Sequence, residues 1–412
     1  MMRTSKIARF GDLFQLLFVR STRSSLRYSR KCNLFVAIIS MIIVGACAMV
    51  TWHLHESSRK IMIEPFIDES LAGRDGLPDP FVFEDGQYYY IFGTSALFFR
   101  TRTFSKGDLK AFSLDLDFAE ESGRVGEFWR FIVYRHVDGT YHGYATLHYG
   151  DFKTVIAHFA PQPGQIWTEE NPITKWRLDK ILIGDVDRGW FAYDCNVLRD
   201  ENGDLYLIYN AGYPNETLGV DIHIKAWRML DPSTLDPNFT PRPILSPEGY
   251  RSEDRNPGYI QIVESVIIQK IQGKYVLLYS VGDFDDYNYK IGVAFSDSLI
   301  PPPGETYRKI IVPDPENVWG NVNKGGEILY LLQTENENWP NYVGEYMNGP
   351  GIGNIVKLDN QYFLIFHARR HGKTRLNGMG RYVWKIPLKI KISNEIPMCE
   401  WIQPILPGEK TG

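Results

Sequence analysis

Three stretches of this chain repeat one layout: an acid, an apolar strand, a polar turn closed by glycine, and a second strand rich in aromatic residues. The first runs from Asp79 through Pro80-Phe81-Val82-Phe83-Glu84-Asp85-Gly86 into Gln87-Tyr88-Tyr89-Tyr90-Ile91-Phe92. The second runs from Asp194 through Gly203 to Tyr209, and the third from Glu264 through Gly273 to Tyr279. Each reads as a β-hairpin. Two further hairpins turn near Gly139 and Asn360, so the five turns lie 53, 64, 70 and 87 residues apart. Each interval holds a four-stranded unit with its loops. Five imperfect repeats in a β-rich chain predict an all-β fold, a five-bladed β-propeller. A β-sandwich also accommodates five hairpins, but it does not by itself put an acid at the same point of several repeats.

The chain has 412 residues, enough for two average domains or one large repetitive β-domain. Aromatic residues make up 14%, which suits strands and sugar-facing surfaces. A net charge of −4 gives no nucleic-acid footprint, and no nucleic-acid partner is expected. The four cysteines form neither a disulfide framework nor a metal-ligand spacing. Cys195, beside a candidate acid, reads as a small buried residue rather than a reactive thiol.

Ahead of the repeats the character changes. Residues 1–33 carry eight Lys or Arg against the single acid Asp12, and Leu34 to Trp52 follows without a charge. Nineteen apolar residues cross a hydrocarbon layer of about 30 Å as a helix. The basic flank places the N-terminus in the cytoplasm and everything after Trp52 outside it. A cleaved signal peptide is the rival, but the basic tail is long and no small-residue cleavage site stands out. The expected organisation is therefore a basic cytoplasmic tail (1–33), a transmembrane signal anchor (34–52), a linker (53–72) and the propeller (73–412). The anchor makes the membrane a partner and gives a single-pass protein with an extracytoplasmic globular part. The tail from Ser393 to Gly412 is expected to supply a closing strand.

In a propeller the first strand of each blade lines the central channel. Asp79 precedes its turn glycine by seven residues, and Asp194 and Glu264 precede theirs by nine. All three are expected to project into one funnel from three blades. Carboxylates that share a cavity repel, so at least one should hold its proton more tightly than usual. A single acid before a strand is more often a turn cap or an exposed group; three at matched positions point to a site.

These motifs resemble the five-bladed propeller glycosidases of glycoside hydrolase family 43, over roughly residues 75–390. Asp79-Pro80 with Gly86-Gln87-Tyr88-Tyr89 resembles the first-blade motif, whose Asp is the general base. Phe191-Ala192-Tyr193-Asp194 resembles the third-blade motif, whose Asp raises the acid's pKa and orients it, and Val263-Glu264-Ser265 the blade bearing the general acid. The resemblance implies hydrolysis of O-glycosidic bonds with inversion, on a pentose-containing glycan such as an α-L-arabinofuranoside or β-D-xyloside. Inverting enzymes hold acid and base roughly 6.5–9.5 Å apart, whereas the retaining, sucrose-type rival needs about 5–5.5 Å.

The sequence departs from the family pattern in places. Trp129-Arg130 stands where the family often has Trp-Ala-Pro, and Ser265-Val266 replaces the common Gly-Pro. Gly351-Ile352-Gly353-Asn354 replaces a Gly-His-Asn whose His often helps to hold a central ion. That loss argues against a bound calcium, and no cofactor is expected. Around the carboxylates, Trp129, Trp190 and Phe191 are candidate sugar-stacking platforms, and His367 and Arg369 candidate substrate contacts. Trp190 and Phe191 could equally be packing between blades, and an exposed rim position is the plainer role for the arginine. Trp319 and Trp339, in Asn-rich loops, are candidates for an outer subsite. A non-catalytic carbohydrate-binding propeller displayed on a membrane is the alternative from another functional class.

Overall fold

Two kinds of strand dominate the chain, and burial separates them. Leu205–Gly212 and Lys274–Val281 are apolar almost without a break and buried along nearly their whole length. Lys110–Ser113 is mostly exposed. Strands of the first kind have a neighbouring sheet against each face, so the alternation of a half-exposed strand is absent from them. The second kind closes an outer edge.

The computed structural model describes residues 63–406 apart from 119–120, 122, 151–152, 185–190, 213–220, 251–252, 257–259, 315–325, 375–376, 378–379 and 393–400. Its described residues form five successive groups of antiparallel strands, called sheets one to five here, the second and third joined by a parallel pairing of Phe191 with Thr154. Sheet one contains Phe81–Asp85, Tyr88–Phe92, Leu97–Thr101 and Lys110–Ser113. Sheet two contains Glu127–Arg135, Tyr141–His148, Thr154–Pro161 and Lys175–Ile183. Sheet three is built from Phe191–Arg199, Leu205–Gly212 and Ile222–Asp231, with Thr234–Leu235 and Arg242–Leu245 along the last. Sheet four contains Glu264–Ile271, Lys274–Val281 and Lys290–Ser296, edged by Arg308–Lys309 and Tyr330–Leu332. Sheet five contains Met347–Leu358, Gln361–Arg370, Tyr382–Lys391 and Trp401–Pro404. The first strands neighbour one another in sequence, and that of sheet five meets that of sheet one, so the ring is closed and propeller-like.

The five hairpin turns fall where the sequence puts them. Gly86, Gly139, Gly203 and Gly273 have φ between 62° and 90°, the left-handed region that glycine enters without a Cβ penalty. In sheet five Asp359, with φ 51°, takes that place instead of Asn360. Aromatic rings fill the space between sheets: Phe92 stacks on Phe98 at 4.5 Å, and Phe131 of sheet two meets Phe92 at 5.6 Å and Trp176 at 5.3 Å.

The stretch read as a linker is described from residue 63, and from there it is part of the fold. Ile67 is fully buried, and the amides of Phe66 and Ile67 both donate to the Val383 carbonyl. Two adjacent apolar side chains gain more from that seat on sheet five than from solvent. The expected closing strand is Trp401–Pro404, the outer strand of sheet five. The basic tail 1–33, the apolar segment 34–52 and residues 53–62 lie outside the described residues. Among the described residues no helix is long and apolar enough to cross a membrane.

Sheet two carries a relay that runs from the surface inward to the buried His158: His142 Nδ1 lies 2.9 Å from His158 Nε2, and His158 Nδ1 lies 2.9 Å from Asp179 Oδ2. Burial pushes His142 down to about 4, and burial also lowers His158 despite Asp179. Both rings are therefore neutral in the fold at pH 7. Below the ordinary histidine value near 6.5 the unfolded chain takes up protons that the fold refuses, so stability falls as pH drops from about 6.5 towards 4. His142 is expected to contribute to that fall, reduced by its partial exposure to solvent. Thermal unfolding of the parent and His142→Gln at pH 7 and pH 4 checks this, with a smaller acid-induced fall expected in the variant. Equal falls in the two proteins would remove His142 as a cause.

Candidate active site

Each first strand, or the chain just ahead of it, bends where it reaches the axis of the ring. The bend residue has positive φ in all five sheets: Asp79 (57°), Arg130 (40°), Asp194 (45°), Ser265 (71°) and Ile352 (44°). In sheets two to five the strand register shifts at the bend, as in a β-bulge. A left-handed bend in a non-glycine residue costs about 1–3 kcal/mol and persists only where its surroundings enforce it. Here the second strand of the preceding sheet does so. The amide N–H of Asp79 donates to His367 Nδ1 (2.9 Å), that of Arg130 to Thr94 Oγ1 (2.9 Å), that of Asp194 to Thr146 Oγ1 (2.8 Å) and that of Ile352 to Ser280 Oγ (2.9 Å). Asn210 stands at the corresponding place in sheet three; it is buried, and its side-chain amide has no partner among the described residues. The ring of bends turns five side chains or their neighbours towards one axial region.

Asp79 is 8% exposed and firmly held. Arg381 Nη1 donates to Oδ1 at 2.8 Å, Arg381 Nη2 lies 3.5 Å from Oδ2, and the Thr94 hydroxyl donates to Oδ2 at 2.6 Å. The Arg381 guanidinium in turn lies 5.2 Å from the centre of the Phe284 ring. Its backbone comes close to the chain ahead of Asp79: a Cβ on Gly76 would stand 2.1 Å from the Arg381 carbonyl oxygen, and Gly76 has φ 76°. Only glycine fits there, and the close approach brings Asp79 and the guanidinium together.

Glu264 precedes the bend residue of sheet four by one position, so it is one step out of register with Asp79 and Asp194. Two phenols serve its carboxylate: Tyr193 donates to Oε2 and Tyr289 to Oε1, the latter at 2.7 Å. Burial pushes both tyrosines well above their usual range, which keeps them as O–H donors. Tyr289 also stacks on the His367 ring at 5.9 Å. Gly351 makes room for the pair, because a Cβ there would stand 1.9 Å from the Tyr289 ring and 2.8 Å from His367 Nε2.

The Asp194 carboxyl is pushed up, to about 7. Burial is the first cause, the Arg130 guanidinium opposes it, and the negative charges of Asp79 and Glu264 add to it. Because the charges of Asp79 and Glu264 both act on Asp194, the three acids share one electrostatic environment. Burial also pushes the Cys195 thiol up to about 12, which makes it inert at neutral pH, in line with its reading as a packing residue.

The other candidates fall in different places. Trp129 and Phe191 come together around Tyr193: Trp129 meets its ring edge-on at 6.4 Å and Phe191 lies 4.8 Å from it. Trp129 is further held by stacking on His148 at 4.6 Å. These partly exposed rings form an aromatic wall beside Glu264. His367 is fully buried behind Asp79 and holds its backbone. Burial, with the charges of Arg381, Arg369 and Arg130, drives His367 well below its usual range, so it is neutral. Arg369 is 4% exposed and donates to the Phe284 carbonyl at 2.6 Å. Trp339 is buried, and Trp190 and Trp319 lie outside the described residues. Arg381, Tyr193, Tyr289, Thr94 and Thr146 were not legible as site residues from any one motif. The signal for the two threonines is a polar residue seven or eight positions after the hairpin turn in every repeat.

A central divalent cation does not fit this arrangement. The fifth bend presents Ile352, which has no donor atom, His367 Nδ1 is taken by the Asp79 amide, and the second bend brings the Arg130 guanidinium into the buried region around Asp194. Among the described residues no group of three or more His, Cys, Asp or Glu side chains is arranged to hold a metal ion.

The family model of glycosyl hydrolases family 43 matches residues 73–391. Solved structures share the fold at low identity. An α-L-arabinofuranosidase from Lactobacillus brevis has a TM-score of 0.58 at 17% identity, covering 80% of this chain and 94% of that one. An exo-1,5-α-L-arabinanase from a bovine ruminal metagenomic library has a TM-score of 0.53 at 18% identity, covering 83% and 98%. An endo-1,4-β-xylanase from Bacteroides thetaiotaomicron has a TM-score of 0.52 at 17% identity, covering 83% and 96%. No curated protein matches the chain.

Proposed function

The chain belongs to glycosyl hydrolases family 43, and from that membership we propose that it hydrolyses pentose-containing glycans, α-L-arabinofuranosides or β-D-xylosides, with inversion at the anomeric carbon. Asp79 deprotonates the attacking water, Glu264 protonates the leaving oxygen, and Asp194 tunes and orients the acid. The pentose rests on the family and on the neighbours that carry the fold, which are an arabinofuranosidase, an arabinanase and a xylanase.

The observation that carries the reading is the separate housing of the two outer carboxyls. Asp79 is gripped by a guanidinium and a hydroxyl, as suits a group that must stay an acceptor. Glu264 sits between two phenols beside the aromatic wall of Trp129 and Phe191. They stand on sheets one and four, which are not neighbours in the ring. Opposite walls leave room for a water between base and anomeric carbon, which inversion requires. Trp129 and Phe191 are the proposed stacking surface for the sugar; His367 and Arg369 support substrate binding by fixing Asp79 and the Phe284 loop. No metal takes part in this scheme.

The shared proton gives a pH expectation. Acid catalysis requires one proton among the three carboxyls, and the site loses it as pH rises past the raised value of Asp194, about 7. kcat/KM is expected to fall above about pH 7. A profile flat to about pH 9 would contradict the role of the shared proton.

Screening the full chain on aryl pentosides and hexosides, beside Asp79→Ala and Glu264→Ala, tests the reading. Turnover by the parent alone on pentosides supports it. No turnover, with glycan binding equal in all three proteins, leaves the non-catalytic binding propeller. We also propose that residues 34–52 anchor the enzyme in a membrane, with 1–33 cytoplasmic and the catalytic part outside. Carbonate-resistant membrane association of the full chain is expected, and its release into the aqueous phase would count against the anchor.

A further inference from the structure

Arg130 is the charged side chain that this mechanism leaves unused. It occupies the bend of sheet two, the place that Asp79 holds in sheet one and Asp194 in sheet three. Thr94 fixes its backbone and donates to Asp79 through the same hydroxyl group. Arg130 is 1% exposed, and its Nε, Nη1 and Nη2 have no hydrogen-bond partner among the described residues. Five buried N–H donors on a full charge are expensive unless nearby negative charge, bridged by water, answers them. The neighbouring negative charge is that of Asp194, on which Arg130 has the largest charge-stabilising influence.

The charges around Asp194 can be counted. Asp79, Glu264 and Asp194 are the acids, and Arg130 and Arg381 are the cations that act on Asp194. His367 is neutral, and Tyr193, Tyr289 and Cys195 are kept protonated by burial. Arg369 is directed to the Phe284 carbonyl and lies 3.8 Å from Asp285. Three carboxyls against two guanidiniums reach neutrality with a single proton. A buried cluster settles near neutrality because each uncompensated charge is costly to keep from water.

We propose that Arg130 is a positioning residue that acts through Asp194: as the second buried cation of the site, it limits the three carboxyls to one shared proton. With Arg130 neutralised, the carboxyls face Arg381 alone, and a second proton enters the cluster. That proton falls on Asp194 or on the base, so the acid loses its ionised neighbour or the water loses its acceptor. The consequence for rate rests on the hydrolase reading above; the proton count does not.

Infrared titration of the full chain labelled with [4-13C]aspartate, with the Asp194 band assigned by Asp194→Asn, reads the count without any substrate. In Arg130→Met the Asp194 carboxyl is expected to be at least tenfold weaker as an acid than in the parent. Arg130→Lys, which keeps the charge, is expected to return most of that difference. Where turnover is measurable, the alkaline limb of the pH profile moves upward with it in Arg130→Met. An Asp194 titration unchanged in Arg130→Met, or equally displaced in Arg130→Lys, overturns the proposal. If Arg130→Met does not fold, the pair with Asp194→Asn decides: removal of both charges restores folding on this account, and a double variant as unfolded as the single one overturns it. A parent with no glycosidase activity but the expected titration would sink the hydrolase reading and leave the proton count standing.

Discussion

Asp79→Asn is expected to lower kcat by about 10³-fold on every aryl pentoside, whatever the leaving group. Asparagine keeps the shape of the side chain and one acceptor oxygen, so Arg381 and Thr94 can still seat it. It removes the negative charge that is proposed to take the proton from water. A loss of that size corresponds to about 4 kcal/mol of transition-state stabilisation. Because the attacking water is needed for all substrates alike, a better leaving group brings no recovery. Steady-state kinetics on a series of aryl pentosides checks this, with thermal unfolding as a control for the lost Arg381 ion pair. A loss below about tenfold would mean that another group is the base.

Glu264→Gln is expected to behave differently along the same series. Departure of a poor leaving group needs a proton, and the loss there is expected to be about 10³-fold. A dinitrophenolate leaves without help, so the loss on that substrate is expected to be about tenfold or less. The amide nitrogen of glutamine cannot accept from a phenol, so one of Tyr193 and Tyr289 loses its partner, at a cost of about 1–3 kcal/mol in stability. Unfolding measurements separate that cost from the chemistry. A loss equal on good and poor leaving groups would show that Glu264 does not act as the proton donor.

The fold and the three acids were legible because the hairpins repeat. Turn chemistry at Gly86, Gly139, Gly203 and Gly273 is local, and a carboxylate ahead of a strand can be counted from its turn. Counting alone, however, put Asp194 and Glu264 at the same position, nine residues before their glycines. The bends separate them: Asp194 is itself a bend residue, whereas in sheet four the bend is Ser265. The register shift between Glu264 and Ile267 belongs to tertiary packing and leaves no mark in strand periodicity. Arg381 was missed because its link to Asp79 spans 302 residues and depends on the close approach at Gly76. Thr94, Thr146, Ser280 and His367 are of three residue types and share only a place near the end of a second strand. Phe66 and Ile67 looked like linker because two apolar residues make no pattern until Val383 is beside them.

Proton NMR of the sugar anomer first released by the full chain from an aryl pentoside tests the central claim most directly. With the proposed base and acid on non-adjacent sheets and a water between them, the first product is expected to have the opposite anomeric configuration to the substrate before mutarotation sets in. A first product that keeps the substrate's configuration would contradict it, and would make one of these carboxylates a nucleophile in a double displacement.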